Sequence, residues 1–439
     1  MPKVDTDRLE LVTNSDLGLL RVSTAFVESA AIAFGLAENE TLALTLAVEE
    51  IFVYLCDIIP QKDVVRINVL GKGYQVETEF IFSSDDFDLH AFNLGCVPDH
   101  SGADECNDET GLIIASRMVD SFSLDQSGSK LRLKLVKEKY YPEIDQLAGA
   151  NPVLKGKFHI EEANPEQMKD LIRVVSVNYP KINVPDAFRF PGKLIDMALR
   201  GYYRIAVALD EAGTIAGGLV WKWESERLVT FRGPFLLAEC KDQDISQRLV
   251  DFLLERVART NAIGVMSMWP TSDLPVGMFE KLGSHYFFEH DQRTEVNAYF
   301  RHLDEDYGSV IVVHSCISEF VKRKYEELFL ARNVESLVYT GETKQAHSVI
   351  STKIFRNFNK VTLRPVIYGH DAADNLRAHL NLLISDGIPN IFFDMDLGFP
   401  DYSMFAPALL ECSFEPCYLV PMAGKSDTVV FQYIPGGMH

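Results

Sequence analysis

The sequence YYRIAVALDEAGTIAGGLVWKW, residues 202–223, is followed from Arg227 to Trp269 by RLVTFRGPFLLAECKDQDISQRLVDFLLERVARTNAIGVMSMW. In the first part, two apolar runs flank Asp210-Glu211-Ala212-Gly213, which is typical of a hairpin connection. A third apolar run, rich in Val, Phe and Thr, covers residues 228–237. These runs predict three consecutive antiparallel strands.

The period of the apolar residues changes after Asp242. Apolar side chains then recur at helical spacing, namely at Ile245, Leu249, Phe252, Leu253 and Val257. This spacing predicts one amphipathic helix. Asp244 lies where a helix N-terminus favours an acid, and Arg256 lies in the predicted last turn. Residues 265–269 are again apolar, so the stretch ends in a strand–helix–strand crossover.

This order of elements resembles the core of the GNAT acyltransferase family, and the resemblance covers roughly residues 158–301. A helix over Leu274–Leu282 and a strand over Tyr286–Glu289 would complete the family's last helix and strand. The resemblance implies binding of acetyl-CoA or another acyl-CoA, and transfer of its acyl group to an amine.

In that family the pyrophosphate of coenzyme A binds at a helix N-terminus, where the motif is Arg/Gln-x-x-Gly-x-Gly/Ala. The corresponding stretch here, residues 238–246, contains no glycine. Asp244 and Ser246 are the residues that the resemblance places at the acyl-CoA. An acid at this position also stabilises a helix by itself, so a self-capped helix is the alternative interpretation.

Acyltransferases of this family commonly use a Tyr on the last helix as general acid, and this chain has Phe279 there. Tyr286 is the candidate replacement as general acid. Glu226 is a candidate general base, together with Glu224, because both lie in the predicted turn between two strands. The alternative is that these glutamates are simply solvated.

The first domain, residues 1–138, is predicted to contain two long helices, two paired strands, a third helix and a final hairpin. This layout resembles the histidine-kinase-like ATPase fold, in particular the serine kinases that act as anti-sigma factors. The segments that carry the resemblance are AVEEIFVYLCD at 47–57, SSDDFDL at 83–89 and ETGLIIASRMVDSF at 109–122.

The resemblance implies a nucleotide site in this domain, with Glu50 as catalytic base, Asp86 or its neighbour Asp85 as reader of the adenine, and Gly111 beside the phosphates. Tyr54 stands where the family has the Mg²⁺-binding Asn. Without that ligand the charge of the phosphates is not neutralised for transfer. We therefore expect no kinase activity and doubt ATP and Mg²⁺ as cofactors. A retained fold that contacts a protein partner, such as a sigma factor or an anti-anti-sigma-like regulator, is the favoured interpretation.

After a polar linker, residues 139–157, and the first lobe, the last third repeats the order of elements and predicts a second GNAT-like lobe over 302–439. Arg364, Gly369 and His370 lie at the end of a predicted strand and before a helix, and they are that lobe's candidate acyl-CoA residues. Asp394 and Asp396 end another strand. Two carboxylates in this spacing resemble a metal site, but such pairs are also common by chance, and no metal is predicted.

The composition limits the classes of function. The chain has 439 residues and a net charge of −21, which disfavours contact with nucleic acid. No apolar run approaches the length of a membrane span, and residues 1–20 do not read as a signal peptide. The 7 scattered cysteines favour reduced thiols, so a cytoplasmic protein that does not enter the membrane is expected.

The sequence thus predicts an α/β (α+β) protein, with an ATPase-like sandwich followed by two mixed-sheet lobes. Its favoured function is regulatory, with a protein partner for the first domain and a small ligand or partner for the paired lobes. The alternative is an N-acyltransferase that moves an acetyl group from acetyl-CoA to an amine and is gated by the first domain.

Overall fold

The computed structural model describes residues 7–59, 63–83, 93, 110–127, 130–143, 154, 156–237, 244–289, 292–304, 308–337, 345–355 and 359–435. Within these ranges the chain forms mixed helices and strands in several sheets, so the predicted α/β class is confirmed.

The first domain packs its helices on a single five-stranded sheet. Its elements are β1 (Asp7–Asn14), α1 (Leu20–Ala33), α2 (Glu38–Ile58), β2 (Val64–Gly71), β3 (Gln75–Ser83), α3 (Thr110–Met118), β4 (Ser121–Ser127) and β5 (Lys130–Glu138). The strand order is β1-β2-β3-β5-β4. Helix α2 buries Leu44, Val48, Ile51 and Leu55, which recur every three or four residues and therefore share one helical face.

The second part of the chain forms a seven-stranded sheet. Its elements are β6 (His159–Glu162), α4 (Pro165–Asn178), α5 (Pro191–Leu199), β7 (Arg204–Leu209), β8 (Ile215–Trp223), β9 (Leu228–Leu236), α6 (Ile245–Val257), β10 (Gly264–Ser267), β11 (Glu280–Glu289) and β12 (Gln292–His302). The strand order is β11-β12-β10-β9-β8-β7-β6. Strands β9 and β10 are parallel, and α6 provides the crossover between them.

The third part contains a parallel strand pair and a five-stranded sheet. Its elements are β13 (Ser309–Val313), α7 (Ser315–Glu327), β14 (Arg332–Ser336), β15 (Val349–Phe355), β16 (Lys360–Ile367), α8 (Ala372–Ser385), β17 (Asn390–Asp396), α9 (Ala406–Glu411), β18 (Phe414–Val420) and β19 (Thr428–Tyr433). The order in the larger sheet is β15-β16-β17-β19-β18, with α8 crossing between parallel β16 and β17.

The two later sheets repeat one topology. Strands β8-β9-β10-β12-β11 of the second part and β15-β16-β17-β19-β18 of the third part follow the same order. In both, the second and third strands of this series are parallel and are joined by a helix. We call these two units lobe 1 and lobe 2.

One predicted element is wrong. The sequence predicts a helix over Leu274–Leu282, but the chain makes only a 3-10 turn at Val276–Met278 and then enters β11 at Glu280. Strand β11 pairs along most of its length with β12, which the sequence analysis does not predict. The first residues of β12 are polar and exposed, so the alternation of apolar and polar residues that marks a strand is weak there. Pairing of β11 with β12 therefore decides the structure of this segment against its local sequence preference.

The three units contact one another in turn. Strand β4 of the first domain lies against β15, and β11 of lobe 1 lies against β18 of lobe 2. Lys193 Nζ of lobe 1 donates a hydrogen bond of 2.5 Å to Glu138 Oε2 of the first domain. The first domain therefore contacts both lobes, and the two lobes contact each other.

Side-chain amides of lobe 2 cover the outer edge of β11. Gln432 Oε1 accepts a hydrogen bond from the Tyr286 N–H at 2.8 Å, and its Nε2 donates to the Tyr286 carbonyl at 2.5 Å. Asn390 does the same for Phe288, at 2.9 and 3.0 Å. These four hydrogen bonds use backbone groups that an unpaired strand edge would leave unsatisfied.

Candidate functional site

Two of the three nucleotide residues predicted in the first domain, Glu50 and Gly111, lie on the helices α2 and α3. Glu50 is half-buried on α2, while Tyr54 is only 7% exposed and belongs to the apolar core of the domain. Gly111 lies in the first turn of α3. Asp86 lies outside the described residues. A buried aromatic ring thus fills the position that the family resemblance assigns to the Mg²⁺ ligand.

The N-terminus of α6 is where the resemblance places the phosphates of an acyl-CoA. Asp244 is the exposed N-cap residue, and its side chain makes no capping hydrogen bond. The Ser246 hydroxyl donates a hydrogen bond to the Asp273 carbonyl oxygen. Ser246 therefore ties the helix to the segment after β10, and residues 238–243 lie outside the described ranges.

The edge of β9 is occupied by side chains of the protein itself. Strand β9 pairs with β10 only as far as Thr230, so its later residues turn an unpaired edge toward the gap between the strands. There the Tyr179 hydroxyl accepts a hydrogen bond from the Leu236 N–H and lies 3.0 Å from the Leu236 carbonyl oxygen. The Thr271 hydroxyl donates to the Pro234 carbonyl at 2.5 Å. A ligand that adds to this edge would have to displace both hydroxyls.

Tyr179 is held in its protonated form. Its hydroxyl also contacts the Asp273 carboxylate, and burial together with this hydrogen bond raises the pKa of Tyr179 well above its ordinary value. Tyr179 therefore acts as a structural hydroxyl through its hydrogen bonds to the backbone of Leu236.

Tyr179→Phe should lower the free energy of unfolding by about 1–3 kcal/mol, since it leaves the buried N–H of Leu236 without the hydroxyl that accepts its hydrogen bond. Urea unfolding followed by circular dichroism would measure this loss. Tyr140→Phe is the matched control, because Tyr140 is 75% exposed and its hydroxyl is solvated. Equal stability of the two variants would contradict the capping role of Tyr179.

The corresponding gap in lobe 2 is filled by apolar side chains. Pairing of β16 with β17 ends at Leu363 and Phe393, and the 3-10 helix Pro400–Phe405 packs against both strands. Phe405 is fully buried, with its ring centroid 5.3 Å from that of Tyr368 and 5.8 Å from that of Phe393. This crossover therefore contributes to the core of lobe 2.

Gly369 and His370 contact residues 345–348, the segment that leads into β15. A Cβ atom on Gly369 would lie 2.2 Å from the His347 carbonyl carbon, so this position requires a glycine for close packing of two backbones. The His370 N–H donates to the Gln345 carbonyl at 3.0 Å. The Asp371 carboxylate accepts from the Ser348 N–H at 2.5 Å. These groups hold the segment in place, which accounts for them without a phosphate.

The two carboxylates of β17 have separate partners. Asp396 accepts hydrogen bonds from the backbone N–H groups of Gly398, Lys425 and Ser426, at 2.8, 2.7 and 3.1 Å. Asp394 pairs with Arg364 at 3.3 Å. Within the described residues, no group of three or more His, Cys, Asp and Glu side chains is placed to hold a metal ion.

The predicted catalytic residues are not brought together. Tyr286 lies on β11, with the Arg293 guanidinium 3.5 Å from its ring centroid. Glu226 is exposed in the turn between β8 and β9. Because β11 and β9 are separated by two strands, the two side chains belong to strands about 14 Å apart. Tyr286 and Glu226 therefore lie on different parts of the sheet.

Positive side chains of both lobes lie near one another, close to the contact between lobe 1 and lobe 2. These are Lys222, Arg232, Lys353, Lys360 and Arg364, and we call this set with Glu224 and Asp394 the basin. Lys222 Nζ pairs with Glu224 at 3.1 Å. Arg364 is 54% exposed, and the other four cations are partly buried. The basin is thus a partly buried cluster of cations to which both lobes contribute.

A continuous series of aromatic contacts connects the two halves of the basin. The Arg232 guanidinium lies 5.2 Å from the Trp269 ring, and Trp269 is 4.6 Å from the fully buried His285. His285 is 5.8 Å from Phe392 of lobe 2, and Lys360 Nζ lies 4.8 Å from the Phe392 ring. Cations of both lobes therefore rest on a shared aromatic wall, where cation–π attraction helps to hold them.

The charges of the basin alter one another's ionisation. Burial, reinforced by the charges of Arg364 and Lys222, lowers the pKa of Lys353 to about 8. Burial also lowers the pKa of Lys360 and lowers that of Arg232 to about 10. Burial opposes the ionisation of Glu224, but the charge and hydrogen bond of Lys222 outweigh it, so the pKa of Glu224 is lowered. Lys353 and Lys360 are thus held where burial disfavours their charge, whereas carboxylates outweigh burial at Lys222 and Arg364 and raise the pKa of each.

Sequence reasoning found Arg364 and Glu224 but missed Lys222, Arg232, Lys353 and Lys360. A signal was present in the repeated tetrapeptides Val229-Thr230-Phe231-Arg232 and Val361-Thr362-Leu363-Arg364. Isolated lysines and arginines on strands resemble ordinary solvated side chains, so only the recurrence at equivalent strand positions distinguishes them.

Comparison with known proteins gives remote similarities. No protein-family model matches the chain, and no curated protein sequence matches it. A phosphinothricin acetyltransferase of the GNAT superfamily from Sinorhizobium meliloti, solved with AcCoA, is 19% identical, with 34% of this chain and 90% of that chain covered and a TM-score of 0.28. A GNAT-family acetyltransferase from Staphylococcus aureus is 16% identical over 34% of this chain and 100% of that chain, with a TM-score of 0.26.

The RsbU and RsbW domains of a Mycobacterium tuberculosis protein are also similar, at 12% identity. The match spans 30% of this chain and 32% of the Mycobacterium tuberculosis chain, with a TM-score of 0.22. At these scores the similarities assign neither a family nor an activity to this protein. Among the described residues, no helix combines the length and the apolar character needed to span a bilayer.

Proposed function

We propose that this protein is a regulator whose paired lobes bind a small ligand and do not transfer an acyl group. One observation carries the proposal: the Tyr179 and Thr271 hydroxyls occupy the backbone edge of β9 at the lobe 1 crossover. Ligands of open α/β sheets bind beyond the carboxyl ends of parallel strands. In this chain that position is closed by the protein's own hydrogen bonds.

The first domain supports the same function. Tyr54 is buried in its core where a kinase would need a Mg²⁺ ligand. We propose that this domain contacts a protein partner, of the sigma-factor or anti-anti-sigma type. Strand β4 of this domain contacts β15 of lobe 2. A ligand bound by the lobes would act on the first domain through this contact. The protein would act in the cytoplasm.

An N-acyltransferase is the second candidate function. The parallel pairs β9–β10 and β16–β17, each of which separates beyond its paired residues, favour it. In that case acetyl-CoA would have to displace Tyr179 and Thr271, and Tyr286 would be the general acid.

Assays of the full chain with acetyl-CoA and a panel of amines separate the two functions. We expect neither release of free thiol nor an acetylated amine above the rate without protein. Turnover that disappears in Tyr286→Phe would overturn the regulatory proposal and establish the transferase. Turnover that persists in Tyr286→Phe would also overturn it and would point to another acid.

A further inference from the structure

The basin contains two copies of one structural element. In lobe 1, Lys222 on β8 is the cross-strand partner of Thr230 on β9, and Arg232 follows two residues later. In lobe 2, Lys353 on β15 is the partner of Thr362 on β16, and Arg364 follows two residues later. In each lobe the lysine, the threonine and the arginine share one face of the sheet, because side chains alternate along a strand and paired residues point the same way.

The two copies face the same space. The aromatic series from Arg232 through Trp269, His285 and Phe392 to Lys360 spans from one copy to the other. The turn after Lys222 also touches lobe 2 directly, since the Ser225 hydroxyl donates to the Met422 carbonyl at 2.8 Å. The repeated element therefore brings one set of cations from each lobe into the same region, the basin.

The charge of the basin is opposite to that of the whole protein. It holds five cations and two carboxylates within a chain of net charge −21. Crowding like charges costs free energy unless an anion neutralises them. An acidic protein repels anions over most of its surface, so the cationic basin is the place where one can bind.

We propose that the basin binds a small molecule with a pyrophosphate or two linked phosphate groups, one for each copy of the Lys–Thr–Arg element. This inference rests on the proposed ligand-binding function and names the ligand class. Guanidinium groups grip phosphate oxygens with paired hydrogen bonds, and lysines add point charges. Nucleoside diphosphates and coenzyme A share this chemistry.

Binding should weaken as the pH rises through about 8, where Lys353 loses its proton. The groups that act on Lys353 are Lys222, Glu224 and Arg364 of the lobes and Lys134 of the first domain. Without a ligand the sign is opposite: the folded protein gains stability between about pH 8 and 10.5, because the unfolded chain retains the proton in that window. Lys353→Met should reduce both pH dependences, with the remainder due to Lys360 and Arg232, whose pKa values are also lowered. Titrations and melting curves at several pH values would show the reduction.

The deciding experiment is calorimetric titration of the full chain with inorganic pyrophosphate, and separately with orthophosphate. We expect pyrophosphate to bind more tightly than orthophosphate. Arg232→Gln and Arg364→Gln should each weaken pyrophosphate binding about tenfold or more, the typical effect of losing a charged hydrogen-bonding partner. Arg173→Gln, on the exposed face of α4, is the matched control and should bind like the wild type.

Thermal melting of each variant establishes that it is folded. Absence of pyrophosphate binding, or equal affinity in the double variant Arg232→Gln/Arg364→Gln and in Arg173→Gln, would overturn the inference while leaving the regulatory function intact. Acyl transfer in the assay above, with pyrophosphate binding lost in the basin variants, would overturn the function and leave the inference standing.

Discussion

Asp427→Asn should lower the free energy of unfolding by about 3–5 kcal/mol, because it removes the negative charge from a buried, hydrogen-bonded ion pair with Arg332. The side chains of Asp427 and Arg332 are both 0% exposed. Arg332 Nε donates to Asp427 Oδ2 at 2.8 Å, the Tyr325 hydroxyl donates to the same oxygen at 3.0 Å, and the Met422 N–H donates to Oδ1 at 2.9 Å. Chemical denaturation followed by tryptophan fluorescence measures the loss.

Asp170→Asn is the control for this change, since Asp170 pairs with Arg173 at 2.6 Å on an exposed helix face. Exposed ion pairs contribute at most about 1 kcal/mol, so its unfolding midpoint should barely move. A loss below about 1 kcal/mol in Asp427→Asn would show that Arg332 finds water or another partner, and would contradict the dry site in the structure.

Gly283→Ala should loosen the contact between the lobes and cost about 1–3 kcal/mol of stability, as overpacking typically does. A Cβ atom at Gly283 would lie 2.4 Å from the Cys417 carbonyl oxygen of lobe 2, and Gly283 has a φ of +156°. Neither strand can yield by a side-chain rotation. Amide hydrogen exchange at Tyr286 and Phe288 should accelerate, because their N–H groups are held by Gln432 and Asn390 across the same contact.

Gly277→Ala is the matched control, because nothing lies within 4 Å of a Cβ atom there and the backbone has no left-handed conformation. It should leave both stability and exchange unchanged. Unchanged exchange at Tyr286 and Phe288 in a folded Gly283→Ala protein would mean that lobe 1 and lobe 2 do not pack along β11 in solution.

The local elements were predictable where the apolar period was strong. The hairpin of β7 and β8, the amphipathic α6 and the crossover into β10 follow from spacing and turn residues alone. The repeated crossover of lobe 2 was predicted in the same way. Strand β11 was missed at its start, because a 3-10 turn and pairing with β12 override a segment that reads as helical.

The candidate site was less predictable. Gly369 was singled out as part of a phosphate loop, yet close approach of the His347 backbone accounts for it. Four of the five basin cations were overlooked, because each is unremarkable within its own strand. The contacts among Arg232, Trp269, His285 and Phe392 join residues that are far apart in sequence, and no local pattern reports them.

The sequence by itself determined the α/β class, the order of most elements and the loss of the nucleotide and acyl-CoA motifs, because periodicity, turn residues and absent glycines are local properties. Only the tertiary structure decided that Tyr179 occupies the β9 edge, that β11 packs against lobe 2, and that the two Lys–Thr–Arg elements lie close together in the basin. Those features depend on which strands become neighbours in space. The packing of the apolar faces of sheets and helices against one another decides this, and such packing joins residues that are far apart in the sequence.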